Sequence, residues 1–167
     1  TTAEQLFEFA KLSVFYNFEG QTIKLGADIV VNEGNAADWG TQIPDRMWDG
    51  VAKFAGTFDG QGHTISGICC YGQLYSGVNR TPVDYYTAGL FRFTDKDCVI
   101  KNFRLVNSYF KNDVQYGAAA ISSNGDGTFE SIYTDAIVVN CRNYTGGILG
   151  RTSTNKEKTV IRNCWFD

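Results

Sequence analysis

The chain has almost no proline, a single histidine, and no apolar run near the ~20 residues that a bilayer-spanning helix needs. With two prolines in 167 residues, its turns must rest on Gly, Asn and Asp. One imidazole excludes multi-histidine metal sites and leaves a single base for any catalytic triad. Charge is scarce as well. Only 20% of residues are charged, and a net charge of −3 with pI ≈ 5.1 gives no basic face for nucleic acid. The five cysteines (Cys69, Cys70, Cys98, Cys141, Cys164) are odd in number and form no CxxC pair, which argues against a zinc site and a complete disulfide framework. They read as small apolar core residues, with a Cys141–Cys164 bridge between neighbouring repeats left open. No metal or cofactor is expected. Position 1 is Thr and no signal-peptide pattern follows.

What is present is glycine, at 18 positions, and aromatic residues, at 14%. That composition fits an ordered, turn-rich β protein of one domain over residues 1–167. The opening residues are the exception. Thr2 suits an N-cap with Gln5 at N3, and Ala3, Leu6, Ala10 and Val14 fall on one helical face, flanked by Phe7 and Phe9. A helix is therefore expected within residues 1–19, placed to cap the end of a β structure over 20–167. After Gly20 the helical period disappears.

An internal repeat occupies the rest. Ile65-Ser66-Gly67-Ile68, Ile100-Lys101-Asn102-Phe103, Phe129-Glu130-Ser131-Ile132 and Ile161-Arg162-Asn163-Cys164 each place a polar and then a turn-tolerant residue between two apolar ones. A second element, Gly89-Leu90-Phe91, Ala119-Ala120-Ile121 and Gly147-Ile148-Leu149, tracks it. A period of about 20–50 residues marks solenoids, propellers and arrays, and a unit of about 30 is short for a four-stranded blade. The expected fold is all-β: a short right-handed parallel β-helix in which Ile65, Ile100, Phe129 and Ile161 stack inward. The Asn or Gly at each corner would turn the chain in the left-handed region without strain.

Residues 54–68, FAGTFDGQGHTISGI, combine an apolar run, an Asp59-Gly60-Gln61-Gly62 turn and a β-rich exit through His63. This segment resembles the signature of GLUG-motif right-handed β-helix proteins, bacterial surface and adhesin-like proteins related to non-catalytic regions of IgA-specific metallopeptidases. Thr2–Ala10, Thr22–Ile29, Trp39–Ile43, Ala88–Phe91 with Ile100–Phe103, and Gly146–Gly150 resemble further parts of that family in the same order. The resemblance spans nearly the whole chain. It implies an exported module, extracellular or on the cell surface, whose targeting segment lies outside this chain. It also implies a binding or adhesive role, a structural use for Asp59, Gly60, Gly62 and His63, and membrane association only through export or an anchor elsewhere. The chain is then a candidate fragment of a longer surface protein.

Candidate chemistry is thin. Ser122 to Gly127 resembles a calcium loop, but Ser122 and Tyr133 stand where an EF-hand needs Asp and Glu. Acidic residues (Asp95, Asp97, Asp113, Asp126, Glu130, Asp135) are scattered over separate repeats, so no catalytic residues are assigned and the chain is not read as an enzyme. Asn79-Arg80-Thr81 and Asn143-Tyr144-Thr145 match the glycosylation sequon, relevant only in a eukaryotic secretory setting. Aromatic residues are the better material. Tyr71, Tyr75, Tyr85 and Tyr86 lie in the excursion Cys69 to Thr87, and Trp39 and Trp48 flank another loop. Such rings suit sugars or protein surfaces, so these six are the expected ligand residues, with a glycan or host protein as partner. A spacer or stalk segment and a small carbohydrate-active β-helix enzyme are the alternatives.

Overall fold

The computed structural model describes residues 1–72, 87–113, 117–140, 143–152 and 159–167. Among these residues the fold is all-β apart from one helix, α1 (Ala3–Leu12), and a 3₁₀ turn (Ala36–Asp38). Among the described residues every strand pairing is parallel.

Three groups of strands build the body. The first sheet runs β1 (Thr22–Lys24), β3 (Thr57–Asp59), β7 (Val99–Val106), β11 (Thr128–Thr134) and β14 (Val160–Arg162). It is widened by β2 (Ile29–Val30) and β4 (Thr64–Ser66), which joins β7, and by β15 (Trp165–Phe166) beside β11. The second sheet is β5 (Cys69–Tyr71), β8 (Tyr109–Asn112) and β12 (Ile137–Asn140). The third group pairs β6 (Phe91–Thr94) with β10 (Ser122–Gly125), and β9 (Gly117–Ala119) with β13 (Tyr144–Gly146). From β3 onward, strands of the second and third groups lie in the chain between successive strands of the first sheet's main order.

The register of the first sheet explains the pattern of the repeat. Ile23, Phe58, Ile100, Phe129 and Ile161 are mutual partners and form one inward column. Phe58, Ile100 and Phe129 are fully buried, and each such side chain contributes about 1.5–3 kcal/mol relative to exposure. The next position along the strands holds Lys24, Asp59, Lys101, Glu130 and Arg162, so charge alternates in sign at every rung. Lys101 and Asp59 approach to 3.8 Å, and Arg162 and Glu130 to 2.8 Å.

Here the structure corrects the repeat alignment. Ile65 partners Ile29 and Leu105, not Ile100, and Phe58 takes the position assigned to Ile65. The reason lies in Asp59 to His63. Thr57–Asp59 pairs with Val99–Lys101, and Thr64–Ser66 pairs with Arg104–Val106. Four residues (60–63) therefore lie opposite two (102–103), and the segment is a bulge within one line of strand rather than a reversal of the chain. A bulge of two residues displaced the count. It also means that the long excursion lies in a circuit of 42 residues, from Phe58 to Ile100. In the second repeat element the register moves by one at its end: Phe91 and Leu149 both face Ser122, not Ile121.

Turns occur where the chain can take positive φ. Asn102, Ser131 and Asn163 adopt φ of 60°, 55° and 52° at equivalent points of successive rungs, and Gln61 does so in the bulge. The turn-tolerant residues Asn102, Ser131 and Asn163 of the repeat thus stand in the left-handed region, as the repeat pattern suggested, and they and Gln61 carry the conformation without glycine. At the next corner Gly67 (φ 77°) lies opposite Asn107 (φ 43°). A Cβ on Gly67 would run into the Asn32 backbone, so both φ and close approach call for glycine there. Ser122–Gly125, the would-be calcium loop, is strand β10.

The helix closes the first-rung end of the core. Thr2 Oγ1 accepts the Gln5 N–H at 3.3 Å, completing the expected N-cap. Ala3, Leu6, Phe9 and Ala10 are buried, and the Phe9 ring packs on Phe18, Phe54, Phe58 and Phe91 at 5.1 to 6.5 Å. The helix is shorter than residues 1–19. It stops at Leu12 because Ser13 turns inward, donating its hydroxyl to Ala10 O and accepting the Ala52 N–H. Val14, expected on the buried face, is therefore exposed, as are Phe15 and Tyr16.

Cys69, Cys70 and Cys98 are buried free thiols packed as apolar residues, with burial pushing their pKa up to about 12, 11 and 12. Cys164 is also a free thiol, and Cys141 lies outside the described residues.

Candidate ligand groove

Tyr71, Trp39 and Trp48, three of the six expected ligand rings, are core residues. Trp48 is 1% exposed and donates its indole N–H to Leu90 O at 3.1 Å. Tyr71 donates its hydroxyl to Trp39 O at 2.6 Å and packs against Tyr109. Trp48 and Tyr71 thus have their polar atoms satisfied inside the protein, and all three rings are buried at 8% exposure or less. Tyr75, Tyr85 and Tyr86 lie outside the described residues.

The motif residues form a hydrogen-bonded knot. Asp59 Oδ1 accepts the Gln61 N–H at 3.0 Å and the Asn102 amide at 3.1 Å. The Gln61 N–H first, then Asn102 and the cations Lys101 and Lys24, hold the Asp59 carboxyl below the usual carboxylate range. A Cβ on Gly60 would meet Phe103 and the Asn102 carbonyl, so Gly60 is there for close approach, while Gly62 takes φ 84°. His63 Nδ1 lies 3.2 Å from Asp28 Oδ1, which also accepts the Thr64 N–H at 2.9 Å. The backbone bond from Thr64, and then His63, lower the Asp28 pKa. The imidazole bonds to Asp28, on the neighbouring rung, rather than to Asp59.

Beside this knot lies an open groove of about 550 Å³ across the outer face of the first sheet. Its floor is the line of left-handed residues Gln61, Asn102, Ser131 and Asn163. Its wall is a second outward column, in which Tyr133 partners Arg104 on one side and Trp165 on the other. The Arg104 guanidinium sits 4.7 Å from the Tyr133 ring centroid, and Trp165 is 65% exposed. Among the described residues no Asp or Glu lines the groove.

Sequence reasoning missed this column although its signal was present. Arg104, Tyr133 and Trp165 each follow directly on an aligned quartet, at Ile100 + 4, Phe129 + 4 and Ile161 + 4. Alternation of side chains along a strand puts the position after an inward residue outside. Extending the quartets by one residue would have exposed it. Among the described residues no three His, Cys, Asp or Glu side chains gather as metal ligands would, and no helix is long and apolar enough to cross a membrane.

No protein-family model matches the chain, and no solved structure does. Halomucin of Haloquadratum walsbyi (strain DSM 16790 / HBSQ001) is 30% identical to it over 140 residues, covering 81% of the chain. The chain spans only 1% of that protein's length.

Proposed function

We propose that this chain is a short right-handed β-helix of the GLUG-motif type, capped at its first rung by α1, and that it is a non-catalytic binding module of an exported surface protein. The observation that carries the reading is the column Ile23–Phe58–Ile100–Phe129–Ile161, five rungs in parallel register, with strands of other sheets between each pair from Phe58 onward. Right-handed crossover is the rule for parallel strands joined this way, in ~98% of cases. A segment similar to most of the chain is embedded in a far longer protein, halomucin, which fits a module within a large surface polypeptide.

The groove is the part of this scaffold suited to a partner, a glycan or a host protein. Rings, carboxamides, a hydroxyl and one guanidinium line it, and the absence of a carboxylate there supports binding over glycoside hydrolysis. Burial of Trp39, Trp48 and Tyr71 favours the second reading, a spacer whose aromatic residues serve only packing. Screening the folded module on glycan and protein arrays separates the two. A binding module retains a ligand and loses it on Trp165→Ala with no change in melting temperature. A spacer retains nothing, and that outcome would overturn the binding role.

A further inference from the structure

We infer that the groove takes a linear anionic saccharide of the uronic-acid class, with Arg104 as its carboxylate-reading residue and Trp165 as its stacking platform. This rests on the reading of the chain as a binding module and specifies its ligand.

The argument begins with Arg104. Its side chain is exposed on the groove wall, lies over Tyr133 at 4.7 Å, and has no ion pair among the described residues. Lys101, Glu130 and Arg162, one column away, are engaged with the charge partners of their own ladder. A guanidinium held flat by a ring keeps its N–H edge free, and that edge matches a carboxylate with two parallel hydrogen bonds. Among the described residues the groove supplies no acid to satisfy it.

The remaining lining suits a sugar. Ser131 and Asn163 are exposed and make no side-chain hydrogen bond among the described residues, and Asn102 keeps its carbonyl oxygen after donating to Asp59. Carboxamides and hydroxyls both donate and accept, as hydroxyl-rich rings require. Trp165 and Tyr133 offer apolar ring faces for stacking against the C–H face of a pyranose. These groups recur once per rung along an open channel, at strand spacings of about 4.8 Å, so the site repeats along a line as a linear polymer does. A polyphosphate chain would want several cations and meets a protein of net charge −3 instead. A peptide strand would add at a sheet edge, which among the described strands is β14 and β15 at one end of the groove, whereas the groove runs across the strands and β11 in its floor is paired on both sides.

The test is calorimetric titration of the protein with oligomers of galacturonate, mannuronate and hyaluronan, each beside its carboxyl-reduced neutral form and beside poly-glutamate. At least one uronate oligomer should bind, its reduced form at least tenfold more weakly, and poly-glutamate at least tenfold more weakly. Arg104→Gln should remove the preference for the carboxylate form, and Trp165→Ala should weaken both forms, each with the melting temperature unchanged. Equal affinity for charged and reduced forms, equal affinity for poly-glutamate, or an indifferent Arg104→Gln would overturn the inference. So would no binding to any of the three. A neutral glycan retained on the arrays, sensitive to Trp165→Ala but not to Arg104→Gln, would defeat this inference and leave the binding module standing.

Discussion

At the first rung Leu25 and Ile29 lie beneath α1 with 4% and 3% exposure, whereas at the last described rung Ile161 and Phe166 stand 50% and 48% exposed. The inward register is the same at both ends, since Ile161 faces Phe129 just as Ile23 faces Phe58. What differs is the next layer. A parallel column fixes where a side chain points, and only a covering element removes it from water. Residues alike in sequence position therefore contribute very different stability along the stack.

The sharpest way to break this comparison is to cut equivalent residues from adjacent rungs. Phe129→Ala should cost about 4 kcal/mol, as for a fully buried ring, and Ile161→Ala about 1 kcal/mol or less. Urea denaturation of both variants checks it, and equal losses would mean that the last rung is covered in solution. Next in size, Phe9→Ala should cost about 3 kcal/mol, because the ring joins α1 to four others across the first-rung end. Phe15→Ala, six positions beyond Phe9 and 80% exposed, should lie within about 0.5 kcal/mol of the parent.

A smaller effect is expected at the alternating charge column. The Asp59 carboxyl is held low in the folded state, so its stabilisation is present above the unfolded value of about 3.9 and disappears as pH falls through the folded value beneath it. Asp59→Asn should flatten the fall in melting temperature below about pH 4, by about 2–3 °C. A parallel pH profile for the two proteins would place the acid sensitivity elsewhere. The smallest effect is none. Native protein at pH 8 should show no alkylation at Cys69, Cys70 or Cys98, whose thiols are buried and stay protonated, and mass spectrometry after iodoacetamide would detect any exception.

Much of this arrangement could be read from the chain itself, for identifiable reasons. Ile100, Phe129 and Ile161 fell into one column because their rungs match without insertions between the apolar positions. Ile65 did not, because Asp59 to His63 carries the residues of a tight turn while the chain runs straight on, and glycine in such a motif signals close approach as readily as reversal. The N-cap at Thr2 was legible from local chemistry, but the helix stop at Leu12 depends on Ser13 bonding to Ala52, 39 residues away. The ligand rings were misplaced for a related reason. Trp48 sits in an irregular segment and Tyr71 at the last position of the short strand β5, yet their polar tips find Leu90 and Trp39 carbonyls that no local pattern announces.

The column Lys24–Asp59–Lys101–Glu130–Arg162 has a consequence for how such a chain can be miscounted. If folding skipped the Asp59 rung, Lys24 would face Lys101. Omitting Lys101 would set Asp59 against Glu130, and omitting Glu130 would set Lys101 against Arg162. Like charges opposed across strands cost roughly 0.2–1 kcal/mol each, a small term, but one that falls on every omission of a single interior rung and on no omission of two neighbouring ones. The stack therefore favours parity: interior rungs can be lost in neighbouring pairs without opposing like charges, whereas a single interior loss opposes them.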